Sequence, residues 1–187
     1  MEDDDSGIIE ELAADHHRLQ DLLDRVRSAP AGSDERALLV ERAGIRLTRH
    51  LVAERERLHP LLRRYVVDGD DFVDRLRAGD KEVERTLEAL EDTPPHSEAY
   101  VNLLLSLADG VTRHVVEQEQ RVFPRLQAMG PDAVLREAGA EARRAEAVAP
   151  SRPRPDAPDS PALTRLTASV WGPWDRLRDR VTGRGRR

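Results

Sequence analysis

The chain has 187 residues and a formal net charge of −6, with 39% hydrophobic, 35% charged and only 3% aromatic residues. The acidic balance argues against nucleic acid as a partner, and the scarcity of aromatics argues against a β-sandwich or barrel. With no cysteine, disulfides, iron–sulfur clusters, zinc–thiolate sites and cysteine nucleophiles are excluded, so any metal must be held by nitrogen and oxygen.

The length suits one domain with a substantial core plus an extension. The opening Met1–Gly7 is acidic where a secretory leader is basic. No apolar run approaches the ~20 residues of a membrane-spanning helix, so the expected setting is cytoplasmic.

Four segments carry apolar residues at alternating steps of three and four, the pattern of helices packed lengthwise. The first runs from about Gly7 to Ser28 on Ile9, Leu12, His16, Leu19, Leu23 and Val26. After the break at Ala29–Ser33, Ser33 offers an N-cap for the second, whose stripe is Val40, Ala43, Leu47, His50, Glu54 and Leu58. Pro60 is expected to end or bend it. The third stripe is Leu76, Asp80, Val83, Leu87 and Leu90, stopped at Thr93-Pro94-Pro95. Ser97 then caps a fourth, on Tyr100, Leu104, Leu107, Val111, His114, Gln118 and Val122, closing before Pro124.

Short connections between long helices predict an all-α, up-down-up-down antiparallel four-helix bundle. A weaker helical piece, residues 131–148, is expected across one end. The chain thus divides into a bundle (1–149), a linker rich in proline (150–162) and a basic amphipathic tail (163–187). In the tail, Leu163, Leu166, Val170, Trp174, Leu177 and Val181 can share one face, although Pro173 interrupts it. Two readings stay open: a helix that docks on a membrane surface or a protein partner, and a segment folding back on the bundle.

The informative feature is that every stripe is interrupted by polar residues where core residues belong: His16; His50 and Glu54; Asp80; His114 and Gln118. His50/Glu54 and His114/Gln118 are four apart and so share a helix face. Each unsatisfied buried polar group costs roughly 1–3 kcal/mol. Paying it in all four helices makes sense if the groups bind something, and a metal ion is the natural choice. His17, His59 and His96 lie off these stripes and read as structural or solvent-exposed.

In these motifs the chain resembles the hemerythrin-like HHE cation-binding family, a four-helix bundle with His on helix one, His-x3-Glu on two, His on three and His-x3-Glu on four. The matching stretches are Asp15-His16-His17-Arg18-Leu19, His50-Leu51-Val52-Ala53-Glu54 extended to Pro60, and His114 to Pro124, over roughly residues 8–128. In both repeats the proline falls ten residues after the histidine, as in typical members. Two positions depart: the third-helix histidine falls at Asp80 and the second glutamate at Gln118, with Glu117 and Glu119 beside it and within reach of a small helix rotation.

The resemblance implies iron or another divalent metal held by His16, His50, Glu54, His114, Asp80 and Gln118. It also implies binding or sensing of oxygen, nitric oxide or peroxide, or metal handling, without catalytic residues. Three states remain open: a dinuclear site with altered ligands, a mononuclear site on His16, His50, Glu54 and His114, and a metal-free structural or interaction bundle. The two departures tilt the balance toward weakened or mononuclear binding. An enzyme acting on peroxide or oxygen is the alternative that needs two metals.

Overall fold

The computed structural model describes residues 6–153 and 155, so the tail lies outside the described residues. All regular elements among them are helical: α1 (Ile8–Ser28), α2 (Asp34–Ala53), α3 (His59–Tyr65), α4 (Gly69–Glu91), α5 (Glu98–Glu117), α6 (Phe123–Met129) and α7 (Asp132–Val148). The four long stripes form the bundle, α1 pairing with α2 and α4 with α5. The two serine caps fall where expected, Ser33 Oγ accepting from Arg36 N–H and Ser97 Oγ from Tyr100 N–H. The apolar stripe residues of α2, α4 and α5 are buried, and no helix among the described residues is long and apolar enough to cross a membrane.

Neither Pro60 nor Pro124 ends its helix. Each follows a π-helical turn, Glu54–Leu58 between α2 and α3 and Gln118–Val122 between α5 and α6. A proline ring clashes with the carbonyl four residues back in an α-helix. Widening the preceding turn to i→i+5 bonding moves that carbonyl away. Accordingly, the His59 N–H bonds to Glu54 O and the Phe123 N–H to Gln118 O. The rod stays continuous, but every side chain beyond the turn is rotated relative to an α-helical wheel.

The last helix also differs from expectation. Instead of lying across an end, α7 packs along both α1 and α2. Its face of Ala138, Ala142 and Ala145 is small and buried. Gly139 lies against the backbone of Ser6–Ile8, where any Cβ would collide. An ion pair from Arg143 to Glu11 continues the same alignment. The first residues of the proline-rich stretch are packed as well: Ala149 and Ser151 are buried, and Arg152 reaches Glu91 at 2.8 Å.

Candidate metal centre

The bundle has two apolar clusters, one around Leu58, Leu62 and Leu126 and the other around Leu19, Leu47 and Leu107. The polar stripe residues lie in the same helices. His16 from α1, His50 from α2, Glu54 at the first π turn and His114 from α5 are all buried, and one ligand atom from each lies within 4.8 Å of all the others. Glu54 Oε1 is 2.8 Å from His50 Nε2 and 3.3 Å from His114 Nε2, while the two Nε2 atoms are 3.3 Å apart. The His16 ring stands beside both, its centroid 4.9 Å from that of His50 and 5.6 Å from that of His114.

The other nitrogen of each imidazole faces a carboxylate. His16 Nδ1 is 2.8 Å from Glu119 Oε1, His50 Nδ1 is 3.2 Å from Asp15 Oδ2, and His114 Nδ1 is 3.2 Å from Asp80 Oδ1. Arg46 in turn anchors Asp15. A carboxylate behind an imidazole fixes its tautomer and turns the free Nε2 toward a metal, the usual outer-sphere arrangement of metal-binding histidines. His16 Nε2 and Glu54 Oε2 are buried without a hydrogen-bond partner. Nitrogen and oxygen lone pairs thus converge on a common point with too few donors between them, and the donor set fits a cation.

The electrostatics agree. Burial by itself lowers the His50 and His114 pKa values, but Glu54, helped by Asp15 and Asp80 respectively, outweighs it and raises them to about 10 and about 9. Burial likewise pushes Glu54 up, and the facing His114 and His50 pull it well below the usual range. For His16 burial wins, reinforced by His50, and its pKa falls to about 3. Without a cation, protons on His50 and His114 neutralise the core, and metal binding displaces them.

Of the residues expected from the sequence, four therefore come together as one group. Asp80 stands outside that group, behind His114, with its Oδ1 3.2 Å from His114 Nδ1. Gln118 is fully buried one turn after His114, with neither amide atom partnered. His17 and His96 are exposed as expected. His59, read as structural or exposed, is the buried one: it is 2% exposed and grouped with Glu54 and Asp80. The wheel misplaced it because the π turn brings the residue five after Glu54 back to Glu54's side. Glu119, the second residue of the other π turn, meets His16. Asp15 and Glu119 are the supporting residues that the stripes leave out: the sequence marks Glu119 only as a neighbour of Gln118 within reach of a small rotation, and Asp15 only through the Asp-His pair.

The sequence model described as hemerythrin HHE cation binding domain matches residues 7–126. The chain belongs to that family. The crystal structure of a hemerythrin HHE cation binding domain-containing protein from Mycobacterium kansasii shares the fold, with a TM-score of 0.66 at 23% identity over 76% of this chain and 88% of that one. No curated protein matches. Family membership and the buried His/Glu group together mark the chain as a metal-binding type of helical bundle.

Proposed function

We propose that this HHE protein holds iron at His16, His50, His114 and Glu54, and uses it to bind or sense oxygen, nitric oxide or peroxide, or to handle the metal itself, in the cytoplasm. The observation that carries the reading is the pairing of each inward imidazole with its own carboxylate: Glu119, Asp15 and Asp80. A hydrogen-bonded core histidine needs one such partner, whereas three aligned around one glutamate are the support a metal requires. Imidazole with one carboxylate suits iron, and nitrogen–oxygen sets that leave positions open are how proteins expose non-haem iron to small ligands. Iron supplies the small-ligand chemistry when bound; the chain binds it, orients its ligands and keeps bulk water out.

Full-length protein purified from iron-supplemented cells is expected to retain iron and to gain thermal stability from it. His50→Ala is expected to lose both. Metal-free wild type, with unfolding indifferent to added Fe²⁺, overturns the proposal.

A further inference from the structure

Between α1 and α2, with the last turn of α7 as one wall, lies a groove of about 850 Å³ that the metal centre does not use. Its size falls in the range of roughly 300–1,000 Å³ that small organic ligands occupy. Arg42, Ile45, Arg46 and Arg49 line it from α2, and their spacing of three and four puts them on one helix face. From α1 come Arg18 and the apolar Ala14 and Leu22. The walls thus combine apolar surface with guanidinium groups. Although the chain carries a net charge of −6, this one groove sets five arginines against three glutamates.

Those charges are not equivalent. Arg46 is held by Asp15 below it, Arg18 stands 3.8 Å from the same carboxylate, and Arg143 pairs with Glu11. Glu146 is engaged from beneath as well, grouped with Asp15 and His50 within 4.8 Å. Arg49 differs from all of these: its Nε is buried and meets no acceptor. A guanidinium N–H kept from water calls for an acceptor, and the planar fork suits the paired oxygens of a carboxylate or phosphate. One turn before it on the same face, half-buried Ile45 offers an apolar wall, with Leu22 also lining the groove.

We propose that this groove binds an amphipathic organic anion, its carboxylate or phosphate head on Arg49 and its apolar body along Ile45 and Leu22. An inorganic anion uses only the first of these features, and an apolar cation only the second. The ligand is therefore recognised by having both. The site is separate from the metal centre and stands whether or not the core holds a metal.

The test is isothermal titration calorimetry near pH 7 on the metal-free full-length chain, freed of chelator. Decanoate and decyl phosphate are the probes, with decyltrimethylammonium and acetate as controls, all kept below the concentrations at which they aggregate. Decanoate or decyl phosphate is expected to bind at one equivalent, and the stronger of the two identifies the head group. Each control is expected to bind at least about tenfold more weakly, because it lacks either the charge-assisted hydrogen bonds or the apolar body. Arg49→Met keeps most of the stem and removes the fork, and is expected to weaken the favoured probe at least about tenfold. Should that variant fail to fold, Ile45→Glu places a carboxylate in the groove and is expected to weaken the same probe as strongly. No binding of either anionic probe to the wild type overturns the proposal. Equal affinity for decanoate and decyltrimethylammonium overturns it too, since the groove would then be merely apolar. Anion binding unchanged by both variants places the ligand elsewhere and has the same consequence.

Discussion

The two π turns are the same backbone device carrying different chemistry. Each begins four residues after a core histidine and ends just before a proline-containing segment, at Glu54–Leu58 and Gln118–Val122. In the first, the position after the histidine is a buried carboxylate, and the rotated residue beyond the turn is His59 facing Glu54 and Asp80. In the second, the equivalent position is the neutral Gln118, the residue beyond the turn is Phe123, stacked on His16 with ring centroids 5.7 Å apart, and Glu119 within the turn reaches His16 with a side chain still 35% exposed. The backbone is repeated and the charge is not. Negative charge is concentrated on the α2–α4 side of the core, where a cation is stabilised, and is thin on the α5 side.

The largest effect separates the two turns directly. Glu54→Leu removes the partner of two buried, protonated histidines, and breaking a buried ion pair from one side costs about 3–5 kcal/mol. Gln118→Leu removes two amide atoms that have no partner, so the metal-free protein is expected to be unchanged or stabilised by about 1 kcal/mol. Urea unfolding of both variants in chelator checks this, and equal losses would mean that the two turns are equivalent after all.

How much of this was legible beforehand follows the same division. The stripes predicted the bundle because burial is set by period, and His16, His50, Glu54 and His114 stood out as polar residues within it. Ser33 and Ser97 announced their helices through capping chemistry that is local in sequence. What stayed hidden was everything beyond a change of period. His59 falls off the stripe on a 3.6-residue wheel that the chain abandons ahead of Pro60, and Glu119, marked as reachable from beside Gln118, gives no sign that His16 is what it meets. The course of α7 was hidden for another reason: a small-residue face and Gly139 permit close packing without saying against which helix.

A pH profile of metal-free stability sharpens the electrostatic half of the comparison. His16 and His59 are lowered to about 3 and about 4, chiefly by burial. Below pH 6.5 the unfolded chain binds protons that these folded residues refuse, so stability falls as pH drops from there toward 4. His50 and His114 do the opposite. Raised to about 10 and about 9, they contribute stability that is complete below 6.5 and is lost as pH rises through those values. Glu146, raised by burial to about 7, opposes the acid limb with one proton against two. The metal-free protein is therefore expected to be most stable near pH 6.5, with slopes on the order of 1 kcal/mol per unit for each histidine. Added metal holds His50 and His114 deprotonated and should lift the alkaline side most. Chemical unfolding at intervals from pH 4.5 to 9.5 measures both limbs, and a flat profile would contradict this assignment of protons.

The smallest stability effect belongs to Glu119, and it is the one that isolates what the second turn contributes. Its carboxylate is a third exposed, so its contact with the neutral His16 contributes less than about 1 kcal/mol to folding. Glu119→Gln should therefore leave urea unfolding in chelator almost unchanged. Its effect on metal should be larger, because a carboxylate behind a ligating imidazole raises that ligand's basicity and fixes its ring, and removing one typically weakens metal binding about 10–100-fold. The expected outcome is a split: near-native stability without metal, and clearly weaker iron retention with it. Retention equal to that of the wild type would mean that Glu119 merely covers His16, and that the second π turn adds no supporting residue to the centre.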